Sequence, residues 1–208
     1  QSAANPALLV EFAQSPDELQ RRAAIAAAAM DGRTEPEIVA AINQLATDPL
    51  NNVRLSLNYA LQDYPGWPMH QAAETLLIDP DSSLRQSAVW ACKARGLYPA
   101  LLRSLDSDEN SYVRQDIAAA LAEAPAHLAL PPLLQRLAGD GEFYVQQAAA
   151  NSCERLLGTS GGSFPQQLTP PPTAALAEAR KRVVAIGAAS YPRLMAWLDH
   201  LLGAYVDI

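Results

Sequence analysis

Cysteine is scarce in this chain: Cys92 and Cys153 are the two thiols among 208 residues. That rules out a disulfide-stapled scaffold and any Cys-x-x-Cys metal or redox motif. Aromatic residues make up 6% of the sequence. Lysine occurs only as Lys93 and Lys181, and the net charge is −7. Proteins built around nucleic acid carry a dense basic footprint, so this balance argues against such a partner. No apolar run approaches the roughly 20 residues that span a bilayer. The three histidines, His70, His127 and His200, lack metal-ligand spacing to one another or to Cys, Asp or Glu. A Gly-x-Ser-x-Gly nucleophile turn and a phosphate-binding glycine loop are also missing, and Gly161-Gly162 alone is a weak loop signal. No cofactor and no metal are expected.

What the chain has is repetition. Half of its residues are hydrophobic, mostly Ala and Leu, a mix suited to close helix contacts. A motif recurs in register about every 30 residues: Asp, four residues, an aliphatic, then usually Arg. It stands as Asp48…Val53-Arg54, Asp79…Leu84-Arg85 and Asp108…Val113-Arg114. A further copy, Asp140…Val145-Gln146, loses the Arg, and a worn one at Gln14 to Leu19-Gln20 begins the series. Such a period predicts an array of small stacked units rather than one globular core.

Each unit reads as two helices. The first starts near Pro36, Pro68, Pro99 or Pro131, because proline fits a first helical turn, where its missing N–H had no intrahelical partner. Apolar residues then recur at helical spacing, as in Ile38, Ala41, Ile42 and Leu45. A short Asp-containing turn follows. The second helix runs over Val53 to Gln62, Leu84 to Ala94, Val113 to Ala122 and Val145 to Leu156, with Gly32, Gly66, Gly96, Pro125 and Gly158 as stops. The Asp can cap free N–H groups at the next helix start. The Arg, on the first turn of that helix, can reach the Asp of a neighbouring unit. Asp48, Arg54, Asp79, Arg85, Asp108, Arg114 and Asp140 then form a charge-assisted ladder. The alternative use of that row, as a site for a phosphate or carboxylate ligand, is weaker. Cys92 and Cys153 each follow their aliphatic anchor by eight residues and fall two units apart. Stacking of helices 8–10 Å apart would separate them by roughly 20 Å, beyond disulfide reach. Both therefore read as reduced core residues.

The pattern resembles the HEAT-like repeat family, including its phycobilisome-lyase type, through Asp48/Arg54, Asp79/Arg85, Asp108/Arg114 and the helix-start prolines. The Asp-Pro copies and the opening Ala3-Ala4-Asn5-Pro6 are also similar to the bacterial leucine-rich-repeat variant. The resemblance covers about residues 7–158. It implies an all-α, right-handed α-solenoid (an alpha-alpha superhelix) of HEAT-like hairpins that binds partners on a concave face lined by the second helices. It also implies an alternative, since some HEAT-like proteins are chromophore lyases and others are regulatory modules of larger enzymes. The His-Glu pairs of the iron-binding HEAT-like hydroxylases are missing, and the HEAT-like DNA glycosylases are basic where this chain is acidic. The Gln146 and Gln14/Gln20 departures suggest that the ladder ends at those units.

The expected organisation is a repeat array over 1–158 (about five units, the first degenerate), a Gly/Ser/Pro-rich loop or linker over 159–172, and a helical cap over 173–208. The cap either covers the open end of the stack or docks on a partner. Counted from the aliphatic anchor, surface positions of the second helices supply the candidate site: Tyr59, Trp90, Lys93, Gln86, Gln115, Asp116, Glu123 and Asn151, with Gln147 and Glu154 nearby. Tyr59 and Trp90 share one register position on adjacent units, and either pack between helices or stand out as interface anchors. The function expected is a non-catalytic scaffold for a protein or peptide, in preference to an enzyme; a lyase reading would need Tyr59, Trp90 and an acid such as Asp116 around a tetrapyrrole. A cytoplasmic home is expected over a periplasmic or exported one, which the start at Gln1 without Met allows. Sequence leaves the oligomeric state open.

Overall fold

A computed structural model describes residues 5–159 and 172–204, and those residues are helical without a strand among them. The Gly/Ser/Pro-rich segment at 160–171 and Tyr205 lie outside the described residues. The chain divides into two compact units, Gln1–Leu101 and Leu102–Ile208.

In the first unit the helices are α1 (Pro6–Ala13), α2 (Glu18–Met30), α3 (Pro36–Gln44), α4 (Asn51–Asp63), α5 (His70–Leu76) and α6 (Ser82–Ala94). They form two layers. The odd helices pack in sequence, α1 on α3 and α3 on α5, and the even ones likewise, α2 on α4 and α4 on α6. This is the arrangement a repeated hairpin requires, since one hairpin cannot cover its own apolar flank. The repeat anchors Val53 and Leu84 are fully or nearly fully buried, with Leu57, Leu61, Val89 and Cys92 behind them. Local signals set the ends. Asn5 accepts the Ala7 N–H and Asp17 the Leu19 N–H, capping α1 and α2. α3 opens on Pro36. Gly32 and Gly96, at φ +60° and +67°, end α2 and α6 in the left-handed region where a side chain would be strained. α7 (Tyr98–Ser107) carries the chain from one unit into the next.

The second unit contains α8 (Ser111–Ala120), α9 (Ala126–Gly139), α10 (Phe143–Thr159), α11 (Thr173–Gly187) and α12 (Pro192–Ala204). α10 packs on α8 and α9; α11 then lies on α9 and α12 on α10, so the last pair repeats the layering of the units before it. Leu176, Ala179, Val183, Leu194, Trp197 and Leu198 are buried there. Each of the leucines contributes about 1.5–3 kcal/mol on burial. Two boundaries differ from the sequence reading. α9 begins at Ala126, not near Pro131, and holds Pro131 and Pro132 in its interior. Packing of Ala129, Leu130, Leu133 and Leu134 outweighs the N–H groups those prolines lack. Gly158 lies inside α10 and does not end it.

The Asp–Arg motif builds the turns. Asp48 accepts the Leu50 N–H, Asp79 that of Asp81, Asp108 that of Asn110 and Asp140 that of Glu142. These are Asx turns two residues long. The motif Asp therefore does not cap the helix, as its spacing suggests; Asp81 and Asn110, two residues on, do that for α6 and α8. The arginine fork then joins neighbouring hairpins. Arg54 donates from Nε to Asp79 at 2.7 Å and from Nη2 at 3.3 Å, while its Nη1 donates to the Asp48 carbonyl at 2.7 Å. Arg114 holds Asp140 through Nε and Nη2 at 2.9 and 3.0 Å and the Asp108 carbonyl at 3.0 Å. Arg85 bonds the Asp79 carbonyl of its own turn at 2.9 Å.

The ladder does not stop at the first unit, as the worn Gln14/Gln20 copy suggests. The frame there is shifted by one residue: Arg21 pairs with Asp48, donating to it from Nη2 at 3.1 Å, and donates to the Ser15 carbonyl at 2.8 Å. Ser15 stands where the other copies have Asp, which hid the match. At the far end Gln146 keeps half of the arginine's work by donating to the Asp140 carbonyl at 2.5 Å.

Removing Arg54 would leave the carboxylate of Asp79, 2% exposed, without its counter-charge. Arg54→Ala is expected to cost about 3 kcal/mol in urea unfolding. Arg22→Ala, which removes an exposed pair with Glu18, should cost less than about 1 kcal/mol. Burial alone would raise the pKa of Asp140, but hydrogen bonds from Arg114 and the Glu142 N–H, with the charges of Arg114 and Arg136, outweigh it and hold the carboxyl low. A depressed folded-state pKa gives stability that is present above the unfolded value near 4 and is lost as pH falls through the folded one. Unfolding free energy should therefore drop below about pH 4, and less steeply in Arg114→Met.

Candidate binding faces of the second helices

In the first unit, α4 and α6 carry Tyr59 and Trp90 six residues after their buried anchors. Tyr59 is 55% exposed and Trp90 39% exposed, so neither ring is packed away between the helices. The Lys93 ammonium, one turn after Trp90, lies 5.5 Å from the centroid of its ring, within cation–π range. Gln86 is half-buried beside them. Polar side chains stitch the two helices beneath this face. Asn58, fully buried, donates to the Leu84 carbonyl at 3.1 Å, and Gln62 to the Ser87 carbonyl and hydroxyl. At the end of the face Arg95 donates to the Leu61, Tyr64, Trp67 and Ala91 carbonyls. It satisfies the open carbonyl end of α4. Trp67, buried, donates to the Arg33 carbonyl at 2.8 Å.

In the second unit, Gln115, Asp116 and Asn151 line one groove of about 300 Å³ between α8 and α10, joined by Tyr144, Gln147 and Arg155. Ala119, at the position of Tyr59 and Trp90 in their repeats, forms part of the floor. A small side chain there opens space that a ring would fill. Asn151 is not fully free: its Oδ1 accepts the Tyr191 hydroxyl at 3.0 Å. Burial, then the charge of Glu154, pushes the pKa of Tyr191 up and keeps it a donor. Glu123 accepts from Arg155 at 3.3 Å on the exposed rim. Glu154, which its spacing puts on that rim, instead caps α12 by accepting the Leu194 N–H at 2.8 Å.

One feature escaped the sequence reading. Tyr112 and Tyr144 stack with centroids 5.3 Å apart and planes 10° from parallel, and the Tyr144 hydroxyl bonds Ser111. Both tyrosines directly precede the anchors Val113 and Val145, so the pair occupies one register position of successive repeats.

Among the described residues no group of three or more His, Cys, Asp or Glu is placed to hold a metal ion, and no helix is long and apolar enough to cross a membrane. His70, His127 and His200 are each exposed.

Residues 71–154 match the family model for HEAT repeats, so that stretch is a run of HEAT-like repeats. Among solved structures, the chain is similar to a designed armadillo repeat protein at 16% identity, over 94% of this chain and 98% of that one, with a TM-score of 0.52. It is similar also to a designed armadillo repeat protein in complex with peptide (KR)4, at 16% identity, over 93% and 98% of the two chains, with a TM-score of 0.54. At that identity the likeness is one of fold, and it places the chain among all-α solenoids of stacked hairpins. No curated protein matches the sequence.

Both cysteines are free and buried. Burial, with a smaller push from Glu74, raises the Cys92 thiol to about 12, and burial raises Cys153 too. Since the thiolate is the reactive form, neither should react with a disulfide reagent at pH 8 in the folded protein. Both should react once urea unfolds it, in one step with the loss of helical signal.

Proposed function

We propose that this protein is a non-catalytic scaffold that recognises a protein or peptide through the exposed face of its second helices. The observation that carries the reading is the pair Tyr59 and Trp90. These amphipathic rings stand exposed at one register position of successive helices, where the anchors six residues before them are buried. Large rings lose little entropy on binding and dominate interface energetics. Lys93 and Gln86 act as the polar selectors beside the rings, and Gln115, Asp116, Glu123 and Asn151 as those of the second unit's own face. A protein of similar fold in complex with peptide (KR)4 supports a peptide as one kind of occupant.

The test uses peptides selected on the full chain from a random displayed library. Trp90→Ala should leave the far-UV circular dichroism and Tm unchanged and weaken the selected peptides by more than about tenfold. Tyr59→Ala should act in the same direction. A lowered Tm with unchanged affinity per folded molecule would assign the two rings to packing and end this reading.

A further inference from the structure

The groove between α8 and α10 has a chemistry of its own. Its walls converge on a single carboxylate. Asp116 lines the groove, and among the described residues it makes no hydrogen bond or ion pair. Gln115 and Gln147, on either wall, are equally unengaged. Three other acidic groups of the unit are committed: Asp140 is held by Arg114, Glu154 caps α12, and Glu123 faces Arg155. The one cation in the lining, Arg155, is thus already opposed by a carboxylate. The same lining holds the Tyr144 ring, fixed by Tyr112 stacked on it and by the hydrogen bond between its hydroxyl and that of Ser111. A fixed flat ring and an open carboxylate form a pair that suits a planar cation. Guanidinium matches both: its fork pairs with a carboxylate through two parallel N–H bonds, and its plane stacks on an aromatic. Ammonium gains less from either.

The space agrees. About 300 Å³ is the low end of ligand pockets, room for one long side chain and the backbone that bears it. Ala119 in the lining stands at the position that carries a ring, Tyr59 or Trp90, in two other repeats. Asn151, whose oxygen is occupied by Tyr191, is left with its amide N–H groups, and Gln147 with both functions, to meet a peptide backbone.

We infer that the α8–α10 groove is an arginine-selective subsite for a peptide, with Asp116 as the counter-charge and Tyr144 as the stacking surface. The inference rests on the scaffold reading above and assigns it one side-chain specificity.

The experiment uses fluorescein-labelled peptide pools with a fixed central residue, arginine, lysine, citrulline or glutamate, flanked by random positions. Binding to the full chain is measured by polarisation. Citrulline keeps the shape of arginine and removes its charge. The arginine pool should bind at least about fivefold more tightly than citrulline, with lysine between them, and the preference should shrink with added salt. Asp116→Asn should abolish the preference with an unchanged melting curve. Arginine and citrulline bound alike, a preference that survives Asp116→Asn, or selection of glutamate would each overturn the subsite. The two readings separate cleanly. Pools that respond to Trp90→Ala but not to the central residue leave the scaffold and remove the subsite, whereas no binding by any pool counts against both.

Discussion

The bidentate bridge from a second-helix arginine to the aspartate of the next turn is the contact on which the rest depends. A hairpin of two short helices has one apolar flank and cannot hide it alone. Burial of Val53, Leu84, Val113 and Val145 supplies the drive to stack. Apolar contact is non-directional, however, and would tolerate a sliding register. The guanidinium fork fixes that register, because Arg54 and Arg114 are each tied at once to their own turn's carbonyl and to a neighbouring carboxylate. The same aspartate shapes its turn by accepting an N–H two residues on. One polar cluster thus sets the loop, the helix start and the spacing between hairpins. A buried ion pair of this sort adds little net stability over a well-packed apolar pair, but removing one partner alone is costly.

The register has a consequence for the surface. Since the second helices within a unit repeat one another's placement, a given sequence position emerges at a corresponding place along that unit. Variation at one position then changes the surface without changing the register. Large rings at Tyr59 and Trp90 give the first unit a raised aromatic face, and Ala119 gives the second unit a groove. The scaffold stays constant while recognition is written in a few exposed offsets, the usual division of labour between a fold and the site it carries.

Helix existence and the two-layer plan were legible because apolar spacing and punctuation agreed. Pro36 opens α3 and Gly32 and Gly96 end helices, as their chemistry demands. The failures came where a local signal was replaced by an equivalent one. Ser15 in place of Asp hid the first rung at Arg21, since its hydroxyl accepts the Asp17 N–H and its carbonyl the Arg21 guanidinium, the same two roles the Asp plays elsewhere. Pro131 and Pro132 read as a helix start but lie within α9, where buried leucines hold the helix through the gap. Glu154 had the offset of a rim residue, but the N-terminus of α12, forty residues on, claims it.

The sequence by itself determined the repeat length, the helix types, the buried anchor of each unit and the residues able to form the ladder. All of these follow from short-range periodicity and from the fixed chemistry of Asp, Arg, Pro and Gly. Tertiary structure alone decided which carboxylate each guanidinium meets, which rings stand exposed, and which polar groups are left without a partner. Those outcomes depend on distances between residues roughly 25 to 40 positions apart. No local pattern encodes such distances until the hairpins have stacked.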